Sequence, residues 1–237
     1  MGNMDTNGTY ACNVVIDLEF TPVPRQYWRQ GLRHEIIEVG AVKLDPSGVV
    51  AGEFSHMVRP TLAPSVAGEV FRLTGIGNRD VACARPIGAV LQALSAWIGP
   101  ERARMVTWSK SDLRQIREEC AAKGIDVPLP SRWMDIQRLY THLMGLSRGR
   151  MVALSDAAEW FGITTDHTSA HRALYDAQIT AEVFRMMATG ECAQHRARVQ
   201  EELRHALREP PCKASIAERC GGLADLLASL KAQEAAA

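Results

Sequence analysis

Two acids interrupt an apolar run near the start of the chain, in the segment NVVIDLEF at residues 13–20. The valines, isoleucine and leucine of this run favour a strand that is covered on both faces. Because residues two apart in a strand point the same way, Asp17 and Glu19 would project side by side from one face. Such a pair at the edge of a core is unfavourable unless something neutralises it. The alternative is a strand that ends at Ile16, followed by two solvated loop acids.

Two further acids stand at or near the start of predicted helices. Asp112 follows an apolar strand segment at residues 103–108, and Asp176 lies in a helical segment five residues after His171. Taken alone, Asp112 is an acid that the helix macrodipole favours. Asp176 alone is an exposed helix residue or an ion-pair partner of Arg172. Only their combination with the first two acids indicates chemistry.

The elements that must position these residues follow from turn signals and periodicity. A hairpin is predicted after the first strand, because the segments 35–44 and 49–58 flank the turn DPSG. Two more strands are predicted at 103–108 and 133–136. Helices are predicted at 86–98, between the N-cap Ser111 and the C-cap Gly124, and near 136–144, 154–161 and 170–188. This order indicates an α/β fold with a mixed five-stranded sheet and helices on its faces.

Together, the segments VIDLEF, TWSKSD and HRALYDA resemble the three motifs of the DEDDh 3′-to-5′ exonucleases. The resemblance covers residues 11–188 in the correct motif order and includes the strand EIIEVGAVKL and the stretch LTGI. It is closest to the branch that acts on histone mRNA and regulates RNA interference, and to the bacterial relatives of that branch. A histidine five residues before the last acid is the diagnostic spacing. The family implies a ribonuclease H-like fold.

The resemblance also implies a catalytic set and a role for each member. Asp17 would contact both of two metal ions. Glu19 and Asp176 would serve the ion that activates water, and Asp112 would support the second ion. His171 would be the general base, a role that suits an imidazole that titrates near neutrality.

Physical chemistry supports such a set of residues. Four carboxylates balance the charge of two divalent ions, and oxygen-only ligands favour Mg²⁺ or Mn²⁺ over zinc. Two ions ~3.5–4 Å apart suit an in-line displacement at phosphorus. Five residues turn a helix by ~500°, so His171 and Asp176 cannot share a helix face. We therefore expect His171 on the loop or first turn before the helix.

Neighbouring segments hold candidates for substrate binding. Three residues match positions that touch the terminal nucleotide in relatives: Phe20, Leu73 and Thr74. The segment 25–34 interleaves cations with aromatic rings, so Arg25 could pair with a phosphate and Trp28 could stack on a base. The alternative is a solvated loop with one anchoring tryptophan.

Other histidines and acids receive no role. His167 and His171 are four residues apart, but a helix start predicted between them disfavours zinc binding. Asp135 and Asp156 lack a histidine at the required offset and are expected to be structural. Five isolated histidines are expected to be solvated: His34, His56, His142, His195 and His205.

Composition limits the setting. The 237 residues carry 27 basic and 27 acidic side chains, so no global field holds long nucleic acid and a polyanion must be met locally. Six scattered cysteines without zinc spacing predict reduced thiols in a cytoplasmic protein. No segment approaches the ~18 apolar residues of a membrane span, so we expect no membrane partner.

We therefore expect a disordered N-terminus at 1–10, an exonuclease domain at 11–190 and a helical extension at 191–237. The expected activity is two-metal-dependent 3′-to-5′ hydrolysis of single-stranded nucleic acid, RNA rather than DNA, that releases nucleoside 5′-monophosphates. The alternatives are a catalytically silent module with the same fold, which binds nucleic acid or protein, and a proofreading partner of a polymerase. Two short amphipathic helices around Pro210-Pro211 would bind the main domain, a second copy or another protein.

Overall fold

The fold is built on a mixed sheet whose strand order is β3-β2-β1-β4-β5. The computed structural model describes residues 10–146, 151–166, 170–189 and 192–208. The strands are β1 Cys12–Pro22, β2 His34–Leu44, β3 Val50–Met57, β4 Ala103–Thr107 and β5 Trp133–Asp135. Strands β1, β2 and β3 are antiparallel neighbours, whereas β4 runs parallel to both β1 and β5. The predicted five-stranded α/β sheet is confirmed.

Helices flank the sheet. They are α1 Gly68–Thr74, α2 Asn78–Ala82, α3 Ile87–Ile98, α4 Ser111–Lys123, α5 Ile136–Leu143, α6 Leu154–Trp160, α7 Ala173–Ala188 and α8 Cys192–Arg208, with a 3₁₀ helix at Arg25–Gln30. The 3₁₀ helix, α1 and α2 were not predicted from the sequence. They have only six, seven and five residues, which is too short for a helical period to show.

The main core lies between one face of the sheet and the helices α3 and α4. Alternate residues of β1, namely Val14, Ile16 and Leu18, point into it, where Leu91 of α3 and Ile116 of α4 meet them. Helix α7 contacts β1 and β2 as well. Because β1 is buried among these elements, its two acids lie at the boundary of the core.

The start of α4 differs from the prediction. Ser111 is the first residue of the helix, and the N-cap position is Lys110, which has helical backbone angles and makes no side-chain cap. The Ser111 hydroxyl instead forms a hydrogen bond with the hydroxyl of Ser109. At the other end, Gly124 is the predicted C-cap, with a φ of +64° that favours glycine.

The chain divides into two compact units, Met1–His195 and Arg196–Ala237. Helix α8 is the first of the two helices that the sequence predicts near the C-terminus. The second, around 223–230, and the disorder predicted for the first residues of the chain lie outside the described residues. In the part of the chain that the structure describes, no helix is both long and apolar enough to cross a bilayer.

Candidate active site

Asp17 and Glu19 lie inside β1, which continues to Pro22, so the alternative of a strand ending at Ile16 is wrong. Strand β4 pairs with β1 only as far as Val15, so both acids lie beyond the end of this parallel pair. The antiparallel register of β1 and β2 shifts after Glu19, and such a bulge changes where the following side chains point. The two acids therefore sit at the sheet edge where the carboxyl ends of β1 and β4 meet.

Asp112 reaches the same edge because it is the second residue of α4, which begins shortly after β4 ends. Its side chain is buried, and the Ser111 hydroxyl donates a hydrogen bond to its carboxylate. The parallel pairing of β1 with β4 thus joins the first two predicted motifs.

Asp176 lies in the first turn of α7, and His171 precedes this helix in the loop position that the spacing predicts. A side-chain nitrogen of His171 and carboxylate oxygens of Glu19 and Asp176 lie within 4.8 Å of one another. His171 is exposed and has a φ of +64°, which is uncommon for a residue other than glycine. Its backbone must therefore be held by its neighbours.

A carboxylate of β2 holds that loop. Glu38 is buried and accepts hydrogen bonds from Arg172 Nη2 at 2.7 Å, Arg172 Nε at 3.1 Å and the Ala173 backbone N–H at 2.9 Å. Since Arg172 pairs with Glu38, the alternative that it pairs with Asp176 is wrong. Close by, a Cβ on Gly40 would lie 2.1 Å from the Ala173 carbonyl carbon, so only glycine allows this approach.

Sequence reasoning missed Glu38 and Arg172. Each looks like an ordinary charged residue in the sequence, and the two are separated by 134 positions. The usable signal was the glycine two residues after Glu38, because glycine inside a strand marks a close backbone approach.

Burial is the largest cause of the raised pKa values in the acid cluster. It raises the pKa of Asp17 well above its usual range, with repulsion from Asp112 and Asp176 adding to the effect. The pKa of Glu19 is raised to about 8, first by burial and then by Asp176 and Glu38. Burial therefore contributes most to both shifts, and repulsion among the neighbouring carboxylates adds to it.

The other two acids follow the same rule. Burial raises the pKa of Asp112 to about 7, although hydrogen bonds from its own backbone N–H and from the Ser111 side chain oppose the shift. Burial also raises the pKa of Asp176, while the charge of His171 acts in the opposite direction.

The chemistry of these donors fits divalent metal ions. Within the described residues, no lysine or arginine forms an ion pair with any of the four acids Asp17, Glu19, Asp112 and Asp176. Carboxylate oxygens that share a site without a cation are the ligands that Mg²⁺ and Mn²⁺ prefer.

A groove of about 430 Å³ opens beside the cluster. It is lined by Glu19, Phe20, Pro22, His34, Glu69, Val70, Leu73 and Thr74. All three residues predicted to meet a terminal nucleotide are therefore on its wall. The Leu73 side chain is 56% exposed, whereas the Thr74 hydroxyl donates to the Val70 carbonyl and accepts from the Ile76 N–H.

Two histidines expected to be solvated are not. His34 is half-buried in this groove, with its ring centroid 5.2 Å from that of Phe20, and burial lowers its pKa with help from Arg33. His195 is buried and stacks on Phe161. His56 and His142 are exposed as predicted. His167 and the side chain of His205 lie outside the described residues.

Asp135 and Asp156, predicted to be structural, do not join the cluster. Asp135 accepts a hydrogen bond from the Arg138 N–H at the start of α5, and its charge adds to the raised pKa of Asp112. Asp156 is exposed in the first turn of α6. Their positions agree with the sequence prediction.

Arg25 and Trp28 lie on the 3₁₀ helix, and both are exposed. The aromatic residue that anchors this segment is Tyr27, which packs on a small cluster formed by Val23 and Leu32, and not the tryptophan. The predicted alternative of one anchoring tryptophan is therefore wrong.

The sheet, the acids at its edge and the adjacent histidine define the class of the protein as a DEDDh-type exonuclease. A family model described as Exonuclease, RNase_T, matches residues 14–184, and the chain belongs to this family. It is similar to Protein NEN2 of Arabidopsis thaliana, with 27% identity over 169 residues. That match covers 68% of this chain and 33% of NEN2, so the chain spans about a third of this relative.

Solved structures agree on the fold. A full-length 3′-exonuclease superposes with a TM-score of 0.68 at 22% identity, over 78% of this chain and 63% of the other. The nuclease domain of 3′hExo, a DEDDh family member bound to rAMP, gives a TM-score of 0.67 at 23% identity, over 78% of this chain and 94% of that domain. At these identities the likeness establishes the architecture alone, and the activity has to be argued from the site.

Proposed function

We propose that this protein is a 3′-to-5′ exonuclease that uses two divalent ions, Mg²⁺ or Mn²⁺, to remove nucleoside 5′-monophosphates from single-stranded nucleic acid. The observation that carries the proposal is the convergence of acids from β1, α4 and α7 on one sheet edge beside His171, without a neutralising cation. Membership of the exonuclease family supports it.

The four carboxylates would hold the ions, through Asp17, Glu19, Asp112 and Asp176. When bound, divalent ions supply Lewis acidity and lower the pKa of water. His171 is exposed and close to Glu19 and Asp176, so it would accept the proton of the attacking water. The water oxygen forms a bond to phosphorus while the bond from phosphorus to the 3′ oxygen of the preceding nucleotide breaks, and that oxygen takes a proton from solvent.

The terminal nucleotide would occupy the groove beside Glu19. Phe20 and Leu73 offer apolar surface to its base and sugar. The hydroxyl of Thr74 already donates to the Val70 carbonyl and accepts from the Ile76 N–H, so this residue would contribute shape rather than a hydrogen bond. Arg25 and Trp28 would contact the part of the strand that precedes the terminal nucleotide.

RNA is the favoured substrate. One similar structure holds rAMP and another concerns 3′-end recognition of a histone mRNA stem-loop, whereas E. coli exonuclease I was solved with dT13. A net charge of zero suits a local cleft for a strand end better than a track for a long duplex.

We also propose that the protein is located in the cytoplasm. The four cysteines that the structure describes are free thiols, which suits the cytoplasm. A homodimer or a protein partner would use the C-terminal helices, and light scattering of the full chain over a range of concentrations tests this.

The function is tested with 5′-labelled single-stranded RNA and DNA of one sequence, in Mn²⁺, Mg²⁺ or EDTA. We expect a metal-dependent ladder that shortens from the 3′ end, faster on RNA, and lost in Asp17→Asn and His171→Ala. Asp156→Asn is the matched control, because this acid is exposed and is not among the charges that shift the pKa values of the cluster. A folded protein that cleaves neither strand in either metal would leave a silent binding module as the function.

A further inference from the structure

We infer that the exposed arginines of the segment after β1 form a phosphate clamp for the substrate strand upstream of its 3′ end. We call this surface, formed by Arg25, Trp28, Arg29 and Arg33, the arginine ledge. The inference rests on the proposed function and deepens it, because it states how the rest of the strand is held and which part of the nucleic acid is read.

The ledge is organised around one indole ring. The guanidinium carbon of Arg25 lies 5.4 Å from the Trp28 ring centroid, and that of Arg33 lies 5.2 Å from the same centroid. Both distances are within the range of a cation–π interaction. Trp28 therefore holds two positive groups close to one another on an exposed surface.

The backbone beneath the ledge is fixed by its own contacts. The Val23 N–H donates to the Arg33 carbonyl at 2.9 Å, and Val23 and Leu32 are buried together in a small cluster. Gly31 ends the 3₁₀ helix with a φ of +81°, and its N–H donates to the Trp28 carbonyl. A fixed backbone lowers the entropic cost of binding, since fewer groups must be ordered.

The ledge is continuous with the groove. Pro22 and His34 flank the segment, are paired across β1 and β2, and both line the groove beside Glu19. A strand whose last nucleotide lies in that groove therefore passes the ledge if it leaves the groove on this side.

The ledge is also positive without local compensation. Between Glu19 and Glu35 the sequence contains no acid but three arginines. In the described part of the chain, none of Arg25, Arg29 and Arg33 forms an ion pair with a carboxylate. In a protein of zero net charge, such an unpaired basic surface next to an acid cluster suits a polyanion.

These observations select phosphates over bases as the groups recognised. Guanidinium groups pair with phosphate oxygens through two parallel hydrogen bonds. Contacts to the sugar-phosphate backbone carry no sequence information. The ledge should therefore bind strands of any sequence, with an affinity that falls as salt rises.

The test measures the affinity of full-length protein for a labelled strand of ~12 nucleotides, a length typical of single-strand binding sites. The Asp17→Asn background prevents cleavage, and oligo(U), oligo(A) and mixed strands are titrated at several salt concentrations. The double variant Arg25→Ala/Arg33→Ala should weaken binding by ~10-fold on all three strands. It should also reduce the slope of log affinity against log salt by ~1.4, since each phosphate contact on a single strand contributes ~0.7.

The matched control is Arg102→Ala. Arg102 is exposed and also lies over an aromatic ring, that of Tyr10, but it precedes β4 and so lies at the sheet edge opposite the acids. This variant should change neither affinity nor slope. Conversely, Trp28→Phe should keep most of the affinity, because a smaller ring still supports both guanidinium groups.

Hydrolysis of a dinucleotide separates this inference from the proposed function. In an otherwise wild-type protein, the double arginine variant should lose ~10-fold more catalytic efficiency on the long strand than on a dinucleotide, because a dinucleotide has no upstream phosphates for the ledge to bind. Affinity and salt slope that stay unchanged in the double variant would overturn the ledge, even if the enzyme is active. A loss of affinity in Trp28→Phe that differs between oligo(A) and oligo(U) would instead indicate base stacking, and it would also overturn the arginine ledge. A wild-type protein that cleaves neither substrate would contradict the exonuclease, whatever the binding result.

Discussion

Buried acids occur in two regions of this protein, and the two regions treat them in opposite ways. On β2 and α4, Glu35 and Glu119 are fully buried next to Lys123. At the end of β1, Asp17 and Glu19 are partly buried next to other acids. One region neutralises its charges with a side chain of the protein, and the other keeps them unpaired.

The neutralised region is saturated with donors. Glu35 accepts hydrogen bonds from Lys123 and from the backbone N–H groups of Thr61, Leu62 and Ala63. Burial works to raise the pKa of Glu35, but these donors outweigh it, so the pKa lies below its usual value. This carboxylate fastens a loop to the sheet and has no free oxygen to offer a ligand.

The difference separates structural acids from functional ones. A buried acid that a neighbouring cation and hydrogen-bond donors stabilise contributes to folding. A buried acid that lies next to other acids lowers the stability of the folded protein until a ligand binds. Acids with strongly shifted pKa values cluster at functional sites. The acid cluster is therefore identified by its four acids and by the absence, within the described residues, of a lysine or arginine paired with any of them.

The strongest way to break the comparison is Asp17→Asn. We expect catalytic efficiency to fall by ~10⁴-fold, equivalent to ~5.5 kcal/mol, because one acid of the metal-binding set is lost. Without metal, the same variant should unfold at an equal or higher denaturant concentration, since a repelling charge is removed. A clear loss of metal-free stability would contradict the repulsion that we assign to this edge.

Lys123→Met probes the other region. It leaves Glu35 and Glu119 buried without their cation, which should cost ~3–5 kcal/mol in the free energy of unfolding measured with urea. Lys110→Met, at an exposed position, serves as the control and should cost less than ~0.5 kcal/mol. Equal losses in the two variants would remove the distinction between the regions.

Glu38 has a property of each region. Like Glu35 it is buried and paired with a cation, Arg172, but its charge also adds to the raised pKa of Glu19 in the acid cluster. Glu38→Gln should lower kcat by ~10-fold with little change in KM, since the loop that holds His171 loses a charge-assisted pair. Glu38→Ala should be slower still, because it also removes the acceptor for the Ala173 N–H. A purely structural role would lower stability and leave kcat of the folded enzyme unchanged.

The smallest expected effect is the dependence of stability on pH. The pKa values of Glu19 and Asp112 are raised to about 8 and about 7, so between the unfolded-state pKa of ~4 and these values the folded protein binds more protons than the unfolded chain. Metal-free stability should therefore fall by ~1 kcal/mol as the pH rises from 5 to 8. Glu35, with its lowered pKa, should instead lose its contribution as the pH falls below ~4.5. Saturating Mg²⁺ should remove the decline at high pH, and an unchanged decline would argue against metal binding at these acids.

Much of the architecture was accessible from the sequence because its signals are local. The apolar run from Val14 to Leu18 predicted β1, and the turn at 45–48 predicted the hairpin of β2 and β3. The helical period of the apolar residues predicted α3 and α4. The resemblance of the three motifs to a known family then indicated the site, and the structure adds that parallel pairing of β1 with β4 brings Asp112 to the edge that carries Asp17.

Other features could not be predicted, because they depend on contacts between distant residues. The ion pair of Glu38 with Arg172 and the groove wall at His34 leave no periodic trace in the sequence. The two arginines over Trp28 are close in sequence, but their approach depends on a 3₁₀ helix of only six residues and on the left-handed Gly31 that ends it before Arg33. Short helices and long-range polar pairs are the elements for which a sequence pattern carries least information.

The most direct test of the unpaired acid cluster is a calorimetric titration of the full chain with Mn²⁺ at neutral pH, compared with Asp17→Asn. The account predicts that two ions bind each wild-type chain with release of protons, and that Asp17→Asn loses most of this binding. No binding by the wild-type protein, or the same isotherm in both proteins, would contradict it.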